Sequence, residues 1–272
     1  YILSELVAES NTGHSYIDWG SFDRVKRIDN GLLGAELTAD EVAGRYKISK
    51  IYAGENWVPA RRSPLTEQGV DVKEGDYIIS INGHDLTTDI NPYVYLENKA
   101  GKIIEISVNT KPSPDGARTS FIKPTASELE LMYFNWVNER RAMVDKLSGG
   151  RIGYIHVPNT SQTGNKELYQ GMYTYNDKEA LIIDDRYNGG GFIPDNMVDL
   201  LDRHALSYWN RKGLEPNKPP GIAHDGPKVM LINGFSSSGG DAFPRSAGAV
   251  STRWARSPKV SSEMSSFNWR RT

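Results

Sequence analysis

The chain has 272 residues, 38% hydrophobic and 24% charged, with 32 Lys and Arg against 34 Asp and Glu and a formal net charge of -2. That length and composition suit two globular domains of ordinary size, whose cores need neither a disulfide nor a structural metal to hold them. The absence of Cys excludes thiolate zinc sites, a Cys nucleophile and a disulfide framework; the near-balanced charge gives no broad basic field for nucleic acid, and no long apolar run reads as a membrane span.

In chain order, residues 1–9 are expected to form a short helix. They lack the basic start and apolar stretch of a secretory signal, and with no initiator Met the chain reads as an excerpt whose export signal, if any, would lie upstream. The cytoplasm is the expected compartment, with the periplasm or export as the alternative. Asn11-Thr12-Gly13-His14-Ser15-Tyr16 follows as a polar turn carrying one His. From residue 30 to 112 the pattern changes to short alternating strands, among them residues 48–52, 77–81 and 102–108, with Asn82-Gly83 as a tight hairpin signal. This predicts a small β-rich domain over 30–112. Residues 111–116 have linker composition, and 126–147 carry apolar residues at helical spacing, so a second domain is expected from 113. There, strands at 153–157, 180–184 and 228–233 alternate with helices at 166–175 and 196–206. The two later strands are almost wholly apolar, as in sheets buried on both faces. The alternation predicts a layered α/β core over 113–244 and a mixed α/β class for the whole chain. Residues 245–272 break the pattern, being rich in Arg and Ser without Leu or Ile. They read as an atypical tail, truncated or out of frame, expected to be disordered or packed in a nonnative or intermolecular way and to leave these 272 residues weakly active or inactive by themselves.

Three segments could carry chemistry. Ile183-Asp184-Asp185-Arg186-Tyr187-Asn188-Gly189-Gly190-Gly191 ends a buried strand in a glycine turn, where backbone N–H groups can converge on an oxyanion. Alone, a glycine run is a weak motif, explained equally by turn conformation. Asn233-Gly234-Phe235-Ser236-Ser237-Ser238-Gly239-Gly240-Asp241 repeats the logic with serines at the tip. Alone, three serines before two glycines are more often a flexible loop. Of the five His residues, His84 follows a hairpin turn, His156 sits in a strand, His204 falls near a helix end, where a cation suits the dipole, and His224 lies in a Pro and Gly loop. Only His14 sits beside hydroxyl residues in a polar turn, a position that an ordinary surface His also occupies.

The order Gly13-His14-Ser15-Tyr16, β-rich insertion, Asp-x-Arg-x-Asn-x-Gly-Gly turn, then Ser238-Gly239-Gly240-Asp241 resembles the tricorn core and carboxyl-terminal processing peptidases. Residues 72–83 resemble the most recognisable stretch of PDZ domains, and Gly31-Leu32-Leu33-Gly34 their carboxylate-binding loop. The resemblance implies crotonase-like βα units in the core and a serine endopeptidase acting on peptides or unfolded proteins, with no cofactor or metal and with homo-oligomers among its assemblies. It implies Ser238 as nucleophile, His14 as general base, and the N–H groups of Gly239 and Gly190 as the oxyanion hole. Asp185 and Arg186 are expected to hold their turn as an ion pair. Two departures stand out. Gly13 precedes His14 where tricorn has a Ser, and no clear acidic partner follows Ser238: Asp241 is fixed by the motif, and Glu263 has the wrong surroundings. Thr12 and Ser15 are the local candidates to orient His14. The competing reading is a catalytically inactive peptide-binding protein that uses its PDZ-like domain.

Overall fold

A computed structural model of the chain describes residues 1–17, 28–248 and 252–256, the last segment by its backbone. The chain divides into two compact units, Tyr1–Leu131 and Met132–Thr272.

The first unit opens with α1 (Ile2–Glu9), which buries none of its residues. Its sheet is six-stranded and antiparallel: β1 (Ala35–Asp40), β2 (Arg45–Ile51), β3 (Tyr77–Ile81), β5 (Ile104–Asn109) and β6 (Arg118–Ile122) lie side by side in that order, and β4 (His84–Asp85) pairs with β3. Alternation makes the core. Along β5, Ile104, Ile106 and Val108 are buried while Glu105 and Ser107 are partly exposed, and they join Ile48, Ile78, Ile81, Leu86 and Leu96. The expected tight turn sits between β3 and β4, with φ of +50° at Asn82 and +74° at Gly83, the left-handed pair that a two-residue hairpin demands.

The boundary expected at 112 is corrected, because β6 completes this sheet. The stretch with linker composition is the β5–β6 turn, closed by Asn109 Nδ2 donating to Ser113 O at 2.7 Å and Asp115 O at 2.9 Å. Pro, Asp and Gly serve a tight turn and a linker for the same conformational reasons, so composition does not separate the two.

The helix α2 (Leu129–Ser148) leads to a four-stranded parallel sheet in the order β10 (Thr252–Arg256), β9 (Lys228–Ile232), β8 (Ala180–Asp184), β7 (Ile152–His156). The helices α3 (Gln162–Thr174), α4 (Pro194–Leu201) and α5 (Gly239–Gly248) supply the crossovers. Ile155, Leu168, Ile183, Met197, Met230 and Phe243 form its core. Close helix packing needs Gly171: a Cβ there would lie 2.5 Å from the Ile155 side chain.

Two further expectations are corrected. The helix α4 ends at Leu201 rather than 206, so His204 lies beyond it, 3.8 Å from Asp202 and 3.6 Å from Asp225. In the tail, residues 245–248 finish α5 with Ala247 fully buried, and residues 252–256 pair in parallel with β9. The core therefore runs past 244. Strand pairing uses backbone groups, which an Arg- and Ser-rich composition leaves intact. The remainder of the tail lies outside the described residues. Among the described residues no helix is long and apolar enough to cross a membrane.

Candidate active site

The adjacent parallel strands β8 and β9 each run into a loop at their carboxyl ends, where open α/β sheets place their chemistry. The two loops are joined by hydrogen bonds. Ser237 N donates to Asn188 O at 3.0 Å, the Ser236 hydroxyl to Asp185 O at 2.8 Å, and Asn233 Oδ1 accepts from Tyr187 N and Phe235 N at 3.2 and 3.1 Å. Gly190 lies against the serine turn, since a Cβ on it would come within 2.7 Å of Ser237 O and 2.9 Å of Ser238 Cβ. Gly239 is equally enclosed, 2.2 Å from Thr160 Oγ1 and 2.3 Å from Gly191 O by the same measure. The fold thus brings together Gly190, Ser238 and Gly239.

Of the three serines, Ser236 has its hydroxyl committed to the neighbouring loop. Ser238 is exposed, with a φ of +54°, and its carbonyl accepts from Asp241 N and Ala242 N at 3.0 and 3.2 Å, which makes it the residue that starts α5. A left-handed backbone at a residue with a side chain costs on the order of 1 kcal/mol and is held by its surroundings. Gly239 opens the first turn of α5, where Gly240 N donates to Ser237 O at 2.8 Å and the helix dipole favours negative charge. The arrangement sets Ser238 next to the Gly239 amide at a helix start, where negative charge is favoured.

Residues 31–127 match the family model described as the tricorn protease PDZ domain, and residues 151–249 match peptidase family S41. A tricorn PDZ segment is thus followed in this chain by a segment similar to family S41 peptidases. It is 35% identical to tricorn protease homolog 1 of Streptomyces coelicolor, across 88% of this chain and 22% of that protein. It is 32% identical to the tricorn protease homolog of Saccharolobus solfataricus, across 89% of this chain and 22% of that protein. A crystal structure of the tricorn protease superposes with a TM-score of 0.79 at 28% identity, covering 89% of this chain and 23% of that one. The chain therefore spans less than a quarter of the length of these relatives.

The rest of this tricorn-like site departs from expectation in instructive places. The ion pair at the turn is Asp184 with Arg186, not Asp185: Arg186 Nε and Nη2 donate to Asp184 at 2.8 and 2.5 Å, and the Tyr154 hydroxyl adds a third bond at 2.6 Å. His156 supports that pair. Its Nε2 is 3.0 Å from Arg186 O, which can only accept, so Nε2 carries the proton and Nδ1 accepts from the Tyr133 hydroxyl at 2.8 Å. Burial lowers the His156 pKa and keeps the ring neutral. Asp185 instead turns inward. It is 0% exposed, Oδ1 accepts from Asn188 Nδ2 at 2.8 Å, Oδ2 has no partner, and burial pushes its carboxyl up to about 8.

The Gly190 N–H donates to Asn188 Oδ1 at 2.8 Å, so this expected oxyanion donor already has an acceptor. Asn188, Thr160 and Asn233 were not singled out from the sequence. Asn188 lay inside the quoted motif, and Thr160 follows β7, a third carboxyl end of the same sheet, a position that could have flagged it. His14, in the first unit, is exposed with a φ of +63° and meets Tyr16 edge-on at 6.4 Å between ring centres. The Thr12 hydroxyl donates to Ser10 O at 3.0 Å. In the PDZ-like loop, Gly31 N donates to Leu96 O and Leu32 N to Thr125 O, both at 2.8 Å, and Gly34 N donates to the Glu128 carboxylate.

Proposed function

We propose that the chain carries the catalytic centre of a serine endopeptidase that cleaves peptides by acyl transfer. The Ser238 hydroxyl attacks the scissile carbonyl, His14 takes its proton and returns it to the leaving amine, and water then releases the acyl group by the reverse sequence. The Gly239 N–H at the start of α5 faces the developing oxyanion. Gly190 contributes the second donor by giving up or sharing its bond to Asn188 Oδ1. Each such donor supplies about 3 to 4 kcal/mol to the barrier reduction. The observation that carries this reading is Ser238 itself: exposed, left-handed in backbone, and set against Gly190 at the first turn of α5.

The test is labelling of the 272-residue chain by a fluorophosphonate, followed by peptide mapping. Modification of Ser238 is expected, with none in Ser238→Ala at an unchanged melting temperature, and with a rate reduced about a thousandfold in His14→Ala. A label on Ser236 or Ser237, or no label, would overturn the assignment.

A further inference from the structure

The Gly31–Gly34 loop leads into β1, the strand at one edge of the first unit's sheet, where an extended peptide could add. Three of its backbone donors, those of Gly31, Leu32 and Gly34, are taken by the chain itself. Leu32 and Thr125 exchange both backbone hydrogen bonds, Leu32 N to Thr125 O at 2.8 Å and Thr125 N to Leu32 O at 2.9 Å, so residues after β6 already pair with the loop. Three residues on, Glu128 Oε1 accepts from Gly34 N at 2.5 Å, and the Ala35 N–H also donates to that carboxylate. Leu131 follows, 0% exposed, with one methyl 3.1 Å from a Cβ built on Gly34 and the other 3.0 Å from one built on Gly54.

Strand pairing, a carboxylate on two successive amides and a buried apolar side chain are the three ways an extended peptide ending in an apolar residue would be held at such a loop. The segment from Thr125 to Leu131 supplies all three from within. Glu128 is held there by amides, and burial raises its carboxyl above the ordinary range although both amides pull it down. One polar group remains over: Ser63 Oγ, in a residue 0% exposed, has no hydrogen-bond partner and lies 3.4 Å from the Gly34 Cβ position. A buried hydroxyl without a partner beside Gly34, whose amide holds Glu128, marks a place where a differently shaped carboxylate would gain a bond.

We propose that Glu128 is a built-in ligand of the Gly31–Gly34 loop, and that the loop takes the free α-carboxylate of an apolar-ended peptide only by displacing it. A tethered carboxylate competes at an effective concentration near millimolar, and the affinity of an external peptide falls by the fraction of molecules in which Glu128 is out of the loop. This goes beyond the peptidase assignment and stands or falls separately from it.

The full chain is titrated with a labelled hexapeptide ending in Leu as the free acid, and with its carboxamide, by fluorescence anisotropy and by amide NMR. Glu128→Gln keeps the shape and removes the charge; Glu128→Ala empties the position. Both are expected to bind the free acid at least tenfold more tightly than the parent, with the carboxamide unchanged. In the parent, saturating free acid is expected to shift the Gly34 and Ala35 amide signals. Unshifted signals in the parent, equal binding of acid and carboxamide, or folded variants that bind no better than the parent would each show that Glu128 is a fixed structural anchor and overturn the proposal. Fluorophosphonate labelling of Ser238 is read in parallel and is unaffected by either result.

Discussion

Gly239→Ala is expected to abolish labelling at Ser238 and to lower the melting temperature by several degrees. The added methyl would come within 2.2 Å of Thr160 Oγ1 and 2.3 Å of Gly191 O. Neither can yield cheaply. Thr160 is 0% exposed and fixed on both sides, its N–H donating to Gly190 O and its carbonyl accepting from Ile193 N, each at 3.0 Å. The strain must then be taken up by the glycine turn or by the start of α5, and overpacking of this kind costs about 1 to 3 kcal/mol. Either response moves Ser238 relative to the backbone donors. Gly234, in the same loop, has nothing within 4 Å of its Cβ position, so Gly234→Ala should match the parent in both measurements. Labelling of Gly239→Ala at the parental rate would show that the close approach of the two turns is not needed for the chemistry.

The fate of the sequence-based expectations follows from which physical signal each rested on. Buried strands and the turns after them, the loops after β8 and β9 included, are legible because apolar runs and glycines report directly on burial and on φ. Choosing between Asp184 and Asp185 was not. Adjacent residues at a strand end point to opposite faces, and the one aimed at Tyr154 takes Arg186 while the other meets Asn188. Nothing in a pair of identical residues says which is which. The Glu128 contact with Gly34 spans 94 positions and depends on how residues after β6 return to the loop, which periodicity does not encode. The strand at 252–256 was hidden for a related reason, since its register with β9 is a property of the backbone.

Asp185→Asn is expected to stabilise the protein at neutral and alkaline pH and to leave it unchanged near pH 4. In the fold this carboxyl is surrounded by groups that oppose its charge: burial is the largest effect, and Asp184 and Asp241 add like-charge repulsion against one favourable bond from Asn188. The neighbouring cation, Arg186, is committed to Asp184. Its pKa therefore rises from 3.8 to about 8. The sign follows from proton counting. Between those two values the folded state keeps a proton that the unfolded chain has released, so stability is greatest below about pH 4, falls as pH rises, and levels off above about pH 8. The slope is at most about 1.4 kcal/mol per pH unit for one proton, enough to outweigh most single contacts across the window. Asn keeps the oxygen that accepts from Asn188 Nδ2 and cannot ionise, so melting temperatures of variant and parent should coincide near pH 4 and diverge steadily towards pH 8. The same ionisation places an unpaired charge beside Asn188, which holds both Ser237 N and Gly190 N. Labelling of Ser238 in the parent should consequently fall behind that of Asp185→Asn as the pH passes about 8. Melting curves that stay parallel from pH 4 to 9 would mean that Asp185 ionises in the fold as it does in the unfolded chain, and that the two glycine turns tolerate its charge.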